Sequence, residues 1–136
     1  MSKPIPPVQK YMTTSPLSIG VEQTLAKAHS MMREHAIRHL PVLHGGRLVG
    51  ILTDRDLHLV ETLKDVDPTK TVVEDAMSAV VHSVGPDAPL DEVVSTMAEH
   101  KYGSVVVMQN GKVVGILTTV DVCRALAELL HSRLAK

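Results

Sequence analysis

The sequence predicts an α+β fold in which one β-α-β-β-α unit occurs twice. Three observations lead there. Laying residue 8 on residue 73, a shift of 65, brings 17 identities into register over the 53 positions 8–60 and 73–125 without a gap. Such self-similarity marks a duplicated structural unit. Each copy also holds two apolar runs around a glycine-containing turn, the pattern of a hairpin, and an apolar stripe at helical spacing. The copies are expected over 8–63 and 73–131, with 64–72 as a polar, proline-broken linker between them.

Each element has its own local reason. A short extended piece is expected at Leu17 to Val21 and again at His82 to Gly85. In the first copy a helix follows with Thr24 as its cap and Leu25, Ala28, Met32 and Ala36 on one face. In the second copy Asp87 is the expected cap, Pro89 suits the first turn, and Asp91 and Glu92 complement the helix dipole. The runs Leu40 to Leu43 and Val105 to Met108 then lead into Gly45-Gly46 and Asn110-Gly111 turns, and return strands end at Thr53 and Thr118. Final helices start near Asp54 and Thr119, the second carrying Leu126, Leu129, Leu130 and Leu134. A half of this size is marginal alone, so the copies are expected to pack together about a pseudo-twofold axis, with paired clefts between them.

Composition narrows the function. Lys and Arg number 14 against 15 Asp and Glu, so no broad basic face points to nucleic acid or anionic lipid. Tyr11 and Tyr102 are the only aromatics besides histidine, which removes the stacking platforms that bind single-stranded bases. One cysteine allows no intrachain disulfide, and no run reaches the roughly 18 apolar residues of a membrane span. A cytoplasmic location is the expectation. Eight histidines invite a metal reading, but His35 and His39 straddle the expected helix end, so no metal site is assigned. Cys123 is read as a buried thiol and no residue as catalytic.

Gly50-Ile51-Leu52-Thr53-Asp54-Arg55-Asp56 and Gly115-Ile116-Leu117-Thr118-Thr119-Val120-Asp121 resemble the segment that closes a cystathionine-β-synthase (CBS) domain. Arg38-His39-Leu40-Pro41-Val42 is similar to the family's strand before the hairpin turn, and Val8 to Met12 and Val73 to Met77 to its opening segment. The resemblance covers nearly the whole chain. It implies a free-standing CBS pair that is regulatory rather than enzymatic and assembles as a homodimer. The implied ligand is adenosine-containing: AMP, ADP, ATP or S-adenosylmethionine. Its occupancy would be signalled to an unknown regulated protein.

By resemblance, Asp56 and Asp121 hold the ribose, and Thr53 and Thr118 sit near the phosphates. The chemistry suits those roles, because a helix N-terminus attracts anions and a carboxylate accepts from ribose hydroxyls. Thr-x-x-Asp is equally the spacing of a capping box that only starts a helix. The family builds each cleft from both repeats. That places Tyr102, Gly103, Ser104 and Val105 beside Asp56, and Pro16, Leu17, Ile37, His39 and Leu40 beside Asp121, although Leu40 and Val105 also read as ordinary core strand. Arg38, Arg55 and the opposing Asp54 flank the first site; Gly103, Thr119 and Val120 stand at the matching positions of the second. The two sites are therefore expected to differ, with the Asp56 site better for anions. The competing reading is a constitutive dimerisation or scaffold module whose clefts stay empty and whose last helix carries the contact.

Overall fold

The computed structural model describes residues 4–134. The elements are β1 (Thr13–Thr14), β2 (Ile19–Gly20), α1 (Leu25–His35), β3 (His39–His44), β4 (Arg47–Thr53), α2 (Asp54–Glu61), β5 (Ser83–Val84), α3 (Leu90–His100), β6 (Ser104–Gln109), β7 (Lys112–Thr118) and α4 (Thr119–Leu134). Single 3-10 turns lie at Val8–Lys10 and Val73–Asp75. The expected strand-helix-strand-strand-helix order appears in both copies.

Two compact units form, and each takes in the segment that opens the other copy. One holds residues 16–81. Its sheet has the order β2-β3-β4, with β2 parallel to β3 and β3 antiparallel to β4. Leu25, Ala28 and Met32 of α1, Leu40 and Val42 of β3, Leu52 of β4, Leu57 of α2 and Val73 form its buried core. The other unit joins residues 4–15 to 82–134, with sheet order β1-β7-β6-β5. Val8, Leu90, Val93, Met97, Val105, Val107 and Leu117 make its core.

The hairpin turns have the backbone their residues suggest. Gly45 and Gly46 have φ of 56° and 82°, and Asn110 and Gly111 have 53° and 76°, the paired positive values of a type I′ turn. The opening segments explain the glycine of each Gly-Ile-Leu-Thr run. Ser78 exchanges backbone hydrogen bonds of 2.9 Å with Ile51, and a Cβ on Gly50 would lie 2.8 Å from the Ser78 carbonyl oxygen and against the Met77 sulfur. Met12 fills the same place over Gly115.

Three local expectations are corrected. Asp87 does not cap α3: the N-cap is Pro89, which has no capping side chain, and the Leu90 N–H instead donates to the Pro6 carbonyl at 2.9 Å. Leu25 of α1 is held in the same way by the Thr71 carbonyl, in addition to the Thr24 side chain that accepts from the Lys27 N–H. Ala36 is exposed, because it leaves the helix in the left-handed conformation as the C-cap. Cys123 is exposed too; the buried face of α4 runs through Asp121 and Ala125, four residues apart, and Cys123 lies between them off that face.

Candidate functional site

Each unit ends its hairpin at a threonine and begins a helix on the next residue. A helix start leaves backbone N–H groups without intrahelical partners, and the Thr-x-x-Asp pattern supplies some. In the first copy the Asp56 N–H donates to Thr53 Oγ1 at 3.1 Å and the Thr53 N–H to Asp56 Oδ2 at 3.4 Å. In the second, the Asp121 N–H donates to Thr118 Oγ1 at 3.3 Å and the Thr118 N–H to Asp121 Oδ2 at 3.0 Å. Capping is therefore realised in both copies. It also fixes each carboxylate at a helix N-terminus, where the dipole favours an anion.

Beyond that shared frame the two aspartates differ. Asp121 is only 4% exposed. Its oxygens accept from Thr13 Oγ1 at 3.2 and 3.3 Å, from Thr118 Oγ1 at 3.1 Å and from Arg124 Nη1 at 3.3 Å. Asp56 is partly exposed, and among the described residues its Oδ1 has no hydrogen-bond donor. The counterpart of Thr13 in the first unit is Ser78, whose hydroxyl donates to the Val80 carbonyl at 3.4 Å. Sequence reasoning did not single out Thr13. The signal for it was the hydroxyl residue that recurs at positions 13 and 78 of the repeat.

The remaining predicted residues fall into the two units. Pro16, Leu17, Ile37, Arg38, His39, Leu40, Thr53, Asp54, Arg55 and Asp56 lie in the first; Tyr102, Gly103, Ser104, Val105, Thr118, Thr119 and Asp121 lie in the second. The Asp54 N–H donates to the Arg38 carbonyl at 3.0 Å, tying the start of β3 to the start of α2. The Thr119 N–H does the same to the Gly103 carbonyl at 3.2 Å. Leu40 and Val105 are wholly buried in the cores of their units. Arg38 and Arg55 are exposed. Burial lowers the pKa of His39, helped by Arg38 and opposed by Asp54 and Asp56. The Tyr102 ring stacks with both His82 and His100, with ring centroids 5.2 Å apart in each pair. Among the described residues no group of three His, Cys, Asp or Glu is placed to hold a metal ion.

A duplicated β-α-β-β-α unit whose hairpins each end in a Thr-x-x-Asp helix start defines a tandem CBS-domain protein. The CBS domain model matches residues 8–60 and 73–128, and the chain belongs to that family. It is 32% identical over 114 residues to the CBS domain-containing protein YhcV of Bacillus subtilis (strain 168), covering 84% of this chain and 81% of that one. It is 31% identical over 123 residues to an inosine-5'-monophosphate dehydrogenase of Korarchaeum cryptofilum (strain OPF8). That match covers 90% of this chain but spans only 25% of the enzyme. Among solved structures, AcuB from Vibrio cholerae matches with a TM-score of 0.86 and 29% identity over 97% of this chain and 98% of that one. The CBS domain pair of protein MJ0100, in complex with 5'-methylthioadenosine and S-adenosyl-L-methionine, matches with a TM-score of 0.81 and 27% identity over 93% and 99%.

Proposed function

We propose that this chain is a cytoplasmic regulatory module that binds an adenosine-containing ligand at its strand–helix junctions and signals occupancy to a partner protein. The observation that carries this reading is Asp56: a carboxylate held at the N-terminus of α2, with Oδ1 free to accept from ribose hydroxyls and Arg38 and Arg55 close in sequence to meet phosphate. The likeness to a CBS pair that holds two adenosine compounds supports it. Pro16, Leu17, Ile37 and His39 of the first unit and Tyr102, Gly103 and Ser104 of the second are the further residues assigned to ligand contact. Thr118 and Thr119 take the places of Thr53 and Asp54 in the second site. That site is the weaker, because Thr13 already holds the Asp121 carboxylate. The role is regulatory, not catalytic.

A thermal-shift panel of AMP, ADP, ATP and S-adenosylmethionine tests the proposal. A ligand at about 100 times its dissociation constant adds roughly 2.7 kcal/mol to stability. The shift is expected to vanish in Asp56→Ala and to survive in Asp121→Ala. If none of the four ligands moves the midpoint, the sensor reading is wrong.

A second reading, a constitutive homodimer or scaffold, is favoured by α4, where Val120 and Leu126 are more than half exposed and Leu129 and Leu130 only slightly less. Light scattering decides it. A dimer that persists without ligand and dissociates in Leu126→Lys and Leu130→Lys supports the scaffold role.

A further inference from the structure

The first unit carries a groove of about 600 Å³ between α1 and α2, within the size range of small-molecule sites. Met32, Ile37 and Leu57 line it with apolar groups, and Arg33, Arg38, Arg55, His29, His58 and Asp54 supply the polar ones. Three arginines and one aspartate thus line it, and His29 is bonded to Glu61 at 3.1 Å. Among the described residues none of the three arginines is paired with an acid.

The duplication provides an internal control. A shift of 65 places Ala98, Gly103 and Val120 where the first copy has Arg33, Arg38 and Arg55, and Val94 and Cys123 where it has His29 and His58. The same backbone therefore forms with none of these five groups, so the fold does not require them. Arg55 even opposes folding locally, since it lies in the first turn of α2, where the helix dipole disfavours a cation. Arg33, in the last turn of α1, suits the dipole there, but α3 manages with alanine at that position. A cluster of like charges around a concavity, kept in one copy only, fits a ligand with several negative charges. Arginine matches phosphate oxygens in paired hydrogen bonds.

We infer that the α1–α2 groove seats an oligophosphate, so that the ligand at Asp56 is a nucleoside di- or triphosphate rather than a monophosphate or a sulfonium compound. This rests on the reading of Asp56 as the ribose acid. Asp56 does not itself line the groove; Asp54 and Arg55, the two residues before it in the first turn of α2, line it together with Arg38 and Arg33, and the phosphate chain enters the groove there.

Calorimetry with adenosine, AMP, ATP and inorganic tripolyphosphate, at fixed ionic strength, tests the inference on the natural chain, Arg33→Ala and Asp56→Ala. ATP is expected to bind at least about tenfold more tightly than AMP, a difference of roughly 1.4 kcal/mol. Tripolyphosphate alone is expected to bind. Arg33→Ala should weaken ATP and tripolyphosphate about tenfold while leaving AMP unchanged; the exposed site and the alanine in α3 make this a folded variant. ATP no tighter than AMP, or ATP and tripolyphosphate indifferent to Arg33→Ala, overturns the inference even if AMP binds. Tripolyphosphate binding that Arg33→Ala weakens, with no adenosine ligand bound, keeps the groove as an oligophosphate site and removes the nucleotide-sensor role instead.

Discussion

Removing the two related aspartates should have unequal effects on folding. Asp121→Ala deletes a carboxylate that is 4% exposed and accepts from the Thr118 N–H, the Thr118 and Thr13 hydroxyls and Arg124. The exposed Arg124 pair adds little, about 0–1 kcal/mol. A hydrogen bond to a buried charged group contributes roughly 1.5–3 kcal/mol, and the hydroxyls can turn towards water while the Thr118 N–H cannot. The expected loss is about 2–4 kcal/mol, or roughly 7–14 °C in Tm at about 3.5 °C per kcal/mol. Asp56→Ala deletes one 3.4 Å bond from a partly exposed residue and should cost only about 0.5–1 kcal/mol. Urea unfolding followed by far-ultraviolet circular dichroism measures both. Thr13→Val should reproduce part of the Asp121 effect, about 1 kcal/mol, because it removes one donor and leaves the cap intact. Equal losses for the two aspartate variants, or a larger one at Asp56, would refute the argument that Thr13 and burial set the two sites apart.

Three further outcomes are expected. Gly50→Ala should destabilise by roughly 1–3 kcal/mol in urea unfolding, because its Cβ meets the Ser78 carbonyl oxygen, a backbone atom that cannot swing away. Leu52→Ala, at a wholly buried core position, should cost about 2–5 kcal/mol in the same assay. Stability should also depend on pH through His39. Its native pKa lies below the ordinary value of 6.5, so the unfolded chain takes up its proton first as pH falls. The His39 contribution is therefore complete above about pH 6.5 and is lost as pH drops towards the native value. Tm measured from pH 8 to pH 5 should decline more steeply in the natural chain than in His39→Gln.

The repeat, the order of elements in each copy, the I′ hairpin turns and the Thr-x-x-Asp helix starts were all legible in the sequence. They depend on residues close together in the chain. Gly45-Gly46 and Asn110-Gly111 make their turns by backbone freedom alone, and a threonine three residues before an aspartate caps a helix wherever it stands. Long-range packing was not legible. Asp87 looked like a cap by its local pattern, but Pro6, more than 80 positions away in the chain, supplies the partner for the Leu90 N–H. The exposure of Cys123 follows from which face of α4 meets the sheet, a choice that an amphipathic pattern of mixed apolar residues leaves open.

The candidate site divides along the same line. The sequence by itself determined that two equivalent carboxylates stand at two helix starts, and that Arg38 and Arg55 accompany only the first. The tertiary structure alone decided that Thr13 reaches Asp121 while Ser78 turns to Val80, and that Arg33, His29 and His58 share a groove with Arg38. The physical reason is that a spacing rule specifies a local turn, whereas the partner of a buried carboxylate is set by whichever distant segment packs across it.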